Sequence, residues 1–265
     1  MRTKRLIVIG IVLCATALRA APDAVLSDRL FDDANAAFLA GDLARATAAY
    51  QALLEEGVAS VELETNLGAA LSRQNKRGAA ALHLERALFL APGDDDARAD
   101  LTELRHSNVD RLEGDQEESG PDALFRFFAP LPGTAAALIL LVAWSIACAL
   151  VGVRLFSPTL SAHPAIVTSS WIAISLALLC GLVTAASAAA HKVALQRAVV
   201  IAESAPAREG PQARAASSFE VHEGTLVRIE EEQAGFARIR LQNGLVGWVA
   251  LGAVEHVVPP RWTDR

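Results

Sequence analysis

TAAALILLVAWSIACALVGVRLF (Thr134–Phe156) and IVTSSWIAISLALLCGLVTAASAAA (Ile166–Ala190) are the stretches that decide the fold. Each is about the 20 residues needed to cross a hydrocarbon core as a helix. Lipid leaves a lone chain no other regular structure, because every backbone N–H and C=O must be satisfied within the segment. Only the short loop Ser157–Pro164 separates the two, so they predict a transmembrane hairpin that returns the chain to the face it left. The small residues Ala147, Ala149 and Gly152 on one helix, and Gly181, Ala185, Ser187 and Ala189 on the other, are expected to let them pack closely. Apart from Arg154 at its edge, the hairpin holds no Asp, Glu, Lys or Arg, which gives no support to an ion or proton pathway.

What precedes and follows the hairpin must then share one side of the membrane. In a chain of 265 residues, 52% hydrophobic, that leaves two small soluble regions, each too short for a deep, enzyme-sized core. The net charge of −6 is unevenly placed: acidic side chains outnumber basic ones by about eleven between Ala21 and Gly120, which argues against nucleic acid as a partner. Cys14, Cys148 and Cys180 all lie in apolar stretches, so neither soluble region has a thiol for a disulfide or a cysteine-based zinc site.

Residues 1–20 read as a signal peptide, with Arg2, Lys4 and Arg5 ahead of the apolar run Leu6–Leu18 and a small residue, Ala20, at the cleavage point. An uncleaved anchor is the alternative. Leu13 before Cys14 disfavours a lipoprotein. Arg154 against Lys192 and Arg197 weakly favours the reverse orientation by the positive-inside rule, but the N-terminal signal engages export first and is taken to decide.

Residues 27–60 aligned on 61–94 give a repeat of 34 residues, the period of tetratricopeptide helix pairs. Ala34, Gly41, Ala46, Tyr50 and Leu53 take its packing positions in the first copy; Leu67, Gly68, Leu71, Ala80, Leu84, Ala87 and Pro92 do so in the second. Residues 95–112 are expected to form a capping helix with Ala97, Leu101 and Leu104 on one stripe. A short solenoid of this kind calls for support from a partner or from self-association. Residues 113–133 read as an acidic linker followed by an interfacial approach, with Phe125, Arg126, Phe127 and Phe128 near headgroup level.

From 198 to 257 the pattern changes to period two. Five short strands are expected, at Val199–Ala202, Phe219–Val221, Thr225–Glu231, Phe236–Gln242 and Leu245–Ala250, closing as a small barrel. Asn243-Gly244 is expected to form a two-residue type I′ hairpin, and Gln233-Ala234-Gly235 a looser one.

Ala207-Arg208-Glu209-Gly210-Pro211, Gly224-Thr225, Gly235-Phe236, Asn243-Gly244 and Gly247-Trp248-Val249, in this order and spacing, resemble a bacterial SH3 domain. Signal, tetratricopeptide pair, hairpin and terminal SH3-like domain together resemble the BatE family of the bacterial aerotolerance operon over nearly the whole chain. The resemblance implies a two-pass inner-membrane scaffold with both soluble domains in the periplasm. It also implies envelope protein partners, among them membrane proteins with von Willebrand type A domains, and a MoxR-type ATPase. Pro206-Ala207-Arg208 and Phe236 replace residues usual at an SH3-like groove, which weakens peptidoglycan binding as the alternative function.

Tetratricopeptide domains that hold an extended peptide use concave-face asparagines for its backbone and cations for its carboxylates. Asn35 and Asn66 match those asparagines; Phe31, Asp96 and Asp100 stand where cations are usual, leaving Arg73. A neutral or basic segment is therefore the expected ligand, with Phe236 and Trp248 as candidate contacts on the SH3-like domain. Asp94-Asp95-Asp96 lacks the ligand spacing of a calcium loop and is expected to cap the helix that follows. His83, His222 and His256 have no evident co-ligands for a metal, no cofactor motif is present, and no G-x-S-x-G, phosphate-loop or H-E-x-x-H signature suggests an enzyme.

Overall fold

The computed structural model describes residues 21–106, 133–156, 164–259 and Trp262. The expected signal (1–20), the end of the capping helix (107–112), nearly all of the linker and interfacial approach, and residues 157–163 of the hairpin loop lie outside the described residues. Within them the chain is mixed helix and sheet, seven helices and a seven-stranded antiparallel sheet.

Five helices come first: α1 (Ala21–Leu39), α2 (Leu43–Glu55), α3 (Val61–Arg73), α4 (Arg77–Leu90) and α5 (Asp95–His106). The turns within the two pairs are equivalent. Gly41 and Asn75 both have positive φ, 80° and 60°, so the left-handed residue that ends each first helix recurs at the period of the sequence repeat. N-caps punctuate the array: Asp42 accepts from Arg45 N, Ser60 from Leu63 N and Asp94 from Ala97 N at 2.8 Å. Gly68 is required for close packing, because a Cβ there would stand 2.7 Å from Leu84 Cγ. Tyr50, Leu53, Leu63, Leu67, Leu71 and Leu84 fill the core, and α5 closes it with Ala97, Leu101 and Leu104. Helix α1 is already formed at Ala21, six residues ahead of the expected repeat boundary at Ser27.

Two apolar helices follow, α6 (Gly133–Phe156) and α7 (Pro164–Leu195). Within α7, Val167–Leu195 is long and apolar enough to cross a membrane, while the described apolar stretch of α6 is Leu138–Ala149. They pack side by side through Ala143 and Ala147 against Ser170, Ala173 and Ala177, and Leu140 reaches Gly181. Ala147 and Gly181 take part as expected, whereas Ala149, Ala185 and Ala189 are exposed and Gly152 has open space around it. The four-residue spacing of Ala143 and Ala147 puts them on one face of α6, which Ala149 and Gly152 do not share. Trp144, Ile172, Leu178 and Leu182 point outward from the pair. Helix α7 continues past Ala190 because His191 and Lys192 end the apolar run without breaking the helix.

The sheet comprises β1 (Arg197–Val200), β2 (Ser204–Arg208), β3 (Ser217–His222), β4 (Leu226–Gln233), β5 (Phe236–Arg240), β6 (Val246–Ala250) and β7 (Val254–His256), in the order β3-β2-β6-β5-β4-β1-β7. Two strands, β2 and β7, are additional to the five expected. Pro206 disguised β2 as loop, but β2 meets β6 only at Arg208↔Trp248, so the missing N–H of Pro206 breaks no bond on that side. The turns are also exchanged. Ala234 and Gly235, between the paired Gln233 and Phe236, both have positive φ and form the tight two-residue hairpin. At Asn243-Gly244 only Gly244 is left-handed, and Asn243 Oδ1 instead accepts from Leu245 N in a wider loop. Ala198, Val200, Val221, Val227, Ile229, Ala237, Ile239 and Val249 fill the inner face.

Candidate functional site

The asparagines expected at the concave face are brought together. Asn66 Nδ2 on α3 donates to Asn35 Oδ1 on α1 at 3.0 Å, and Tyr50 OH on α2 donates to the same oxygen at 2.6 Å. Phe31 lies tilted against Tyr50. Burial pushes the Tyr50 hydroxyl above the ordinary tyrosine range, partly offset by hydrogen bonding to Asn66. Two turns further along, the Arg73 guanidinium sits 4.3 Å over the Phe38 ring. Burial, with repulsion from Asp96, raises the Asp100 carboxyl above the usual range, while Arg73 opposes the shift. Asn35, Asn66, Phe38, Arg73 and Asp100 thus form a strip carrying amide donors and acceptors beside an under-compensated acid, chemistry suited to an extended backbone bearing positive charge. Phe236 and Trp248 are not part of it. They sit half-buried on the outer face of the sheet, where Trp248 lies in register between Arg238 and Arg208.

A second feature was not anticipated from the sequence: α4 is the seat of the sheet. No side chain of its own caps the α4 N-terminus, and Glu223, from the turn after β3, accepts from Gly78 N at 3.1 Å instead. Gly78 is obligatory there, since a Cβ would stand 2.9 Å from Val200 O. The buried Glu85 carboxylate takes Arg105 of α5 on one oxygen at 2.5 Å and Arg197 of β1 on the other at 2.8 Å. Arg86 donates to Val257 O at 3.1 Å and to His256 O at 3.2 Å, and pairs with Glu255 at 2.8 Å. Val199 and Val257 complete the junction by entering the core of the helical array. A trace of this was present in the sequence, because the apolar residues of α4 are spread around the helix rather than gathered on one stripe, as in a helix covered all round.

Among the other candidates, Asp94 caps α5, and buried His83 pairs with Glu64 at 2.6 Å, while His256 pairs with Glu232 at 3.0 Å. Among the described residues no three potential metal ligands cluster. No protein-family model matches the chain, and no curated protein sequence matches it.

Proposed function

We propose that this chain is a non-enzymatic membrane scaffold of the kind found in the BatE family: a tetratricopeptide array and an SH3-like barrel, held by a two-pass hairpin, recruit envelope proteins in the periplasm. The observation that carries the proposal is the α4–β1–β7 junction. The segments it joins flank the two apolar helices in the chain, and they can touch only if the chain between them crosses the membrane an even number of times. The ligand site is the Asn35–Asn66–Arg73–Asp100 strip, and its ligand an extended neutral or basic segment of an envelope protein. Membrane proteins with von Willebrand type A domains are the partners that the family resemblance suggests.

Because the barrel leans on α4, deleting the array would strip the barrel of its support, so a point probe is the cleaner test. A photo-crosslinking residue at Asn66 should capture envelope proteins in intact membranes, and Asp96→Asn with Asp100→Asn should reduce the yield. The same probe at the exposed Gln51 should capture none of them. Equal capture from both positions would refute the strip as the site.

A further inference from the structure

One row of the sheet sets arginine against arginine. Across β1, β4 and β5, Arg197 stands opposite Arg228, and Arg228 opposite Arg240. Two residues back along β5, Arg238 is in register with Trp248 of β6, and Trp248 with Arg208 of β2. The residues that alternate with them, among them Ala198, Val227, Ala237, Ile239 and Val249, are buried in the inner face, so the pleat turns the five arginines and Trp248 to the outer one. At its β1 end this face abuts the helical array, where Glu85 of α4 takes both Arg197 and Arg105 of α5.

Like charges directly opposite one another weaken a sheet, so anions stabilise such a row. The chain supplies few. Glu230 pairs with Arg240 at 2.5 Å and lies 3.6 Å from Arg238. The hydrogen bond from Arg240, with the charges of Arg238 and Arg228 nearby, holds the Glu230 carboxyl below the usual carboxylate range. Glu231, opposite Arg238, is exposed. Six arginines, Arg105 included, thus stand against Glu85, Glu230 and Glu231. Glu209 and Arg214, both exposed on the loop after β2, balance each other, and Glu220 lies one strand further out, opposite Pro206. The least served is Arg228, whose Nε is buried and meets no acceptor among the described residues. Arg238 and Arg240 keep 42% of their side chains exposed, within reach of an outside carboxylate.

We infer that this face binds an acidic, extended segment of a partner protein, its carboxylates taken by Arg228, Arg240, Arg238 and Arg208 and its backbone lying on the Trp248 ring. The dimensions suit such a segment. Alternate side chains of an extended chain repeat at about 7 Å, the separation of Arg238 and Arg240 along β5, and from β4 to β2 the stripe covers three strand spacings of about 4.8 Å, too long for one small anion. Guanidinium forks take carboxylates through paired N–H donors, and the half-buried Trp248 offers a flat apolar surface among them. The inference goes beyond the proposed function, whose ligand is neutral or basic and lies on the helical array, and it does not depend on the membrane crossing.

The test uses the full chain in phosphatidylcholine nanodiscs and two fluorescein-labelled decapeptides, one alternating Glu and Ser, the other Gln and Ser, followed by fluorescence anisotropy. The Glu-Ser peptide should bind, and Arg228→Gln combined with Arg240→Gln should weaken it by about tenfold or more, the effect of losing charge-assisted hydrogen bonds. Arg208→Gln, on a separate strand, should weaken it by about fivefold. Arg214→Gln, on the neighbouring loop, should leave it unchanged, and the Gln-Ser peptide should respond to none of these substitutions. Absence of Glu-Ser binding, or an equal loss with Arg214→Gln, would overturn the inference. Binding that appears only after Glu113→Gln, Asp115→Asn, Glu117→Gln and Glu118→Gln would overturn it too, by making the chain's own linker the occupant. If phosphatidylglycerol vesicles lose their hold on the arginine variants while the peptide does not, the face belongs to lipid and the inference fails.

Discussion

Helices α2 and α4 hold the same place in successive 34-residue units, yet one faces water and the other carries a second domain. The equivalent positions locate the difference. Ala44, Gln51 and Ala52 on α2 are exposed, whereas Gly78, Glu85 and Arg86 on α4 are the residues that touch the sheet. The repeat fixes where a helix lies, and three departures from it fix which helix is used. A glycine admits another backbone, and a buried acid and a buried base supply directional bonds that water satisfies on α2.

The sharpest way to break the comparison is at its charged centre. Glu85→Ala leaves Arg197 and Arg105 without their carboxylate and should cost about 3 kcal/mol. Gln51→Ala should stay within about 0.5 kcal/mol. Denaturant unfolding in detergent compares the two. Next in size, Gly78→Ala drives a Cβ toward the Val200 carbonyl and should cost about 2 kcal/mol, while Ala44→Ser on α2 changes little. Hydrogen exchange should show the loss concentrated along α4 and β1.

Capping sharpens the comparison further. Helix α2 is capped by its own Asp42, whereas α4 has Lys76 at its N-cap position and borrows Glu223. Glu223→Ala should cost about 1 kcal/mol, and Lys76→Asp, by supplying a local cap, should make that loss smaller. The smallest effect concerns the core. Tyr50 on α2 is equivalent to Leu84 on α4, so only the first unit has a titratable group at that position. Its pKa is raised on folding, so its contribution is fully present below the ordinary tyrosine range and is lost as pH rises through the raised value. Tyr50→Phe should remove this alkaline dependence, at a cost of about 1 kcal/mol for the hydrogen bond to Asn35. Thermal melts above and below the range measure it.

The helix pairs were legible because their packing is written locally: Gly68 faces Leu84 where Ala34 and Tyr50 stand 34 residues earlier, and the left-handed Gly41 and Asn75 are 34 residues apart. Asn35 and Asn66 were legible for the same reason, though their shared bond with Tyr50 was not. The junction escaped because its bonds join residues more than a hundred positions apart, Glu85 to Arg197 and Arg86 to Val257, and no local pattern spans that distance. The turn exchange has a local cause. Asn243-Gly244 has the better turn chemistry, yet the β4–β5 register demands positive φ at Ala234, a residue that pays about 1 kcal/mol to adopt it. Phe236 and Trp248 lie half-buried on the outer face of the sheet, and alternation alone does not say what such a face meets.

One experiment bears most directly on the claim that the helical array and the sheet form one body on one side of the membrane. Single cysteines at Gln51 and Leu245, both exposed, are placed in separate full-length chains lacking the native cysteines, and intact spheroplasts are treated with a membrane-impermeant thiol reagent. The account predicts that both sites react from outside at similar rates. Reaction at one with protection of the other, reversed only when the membrane is dissolved, would contradict it.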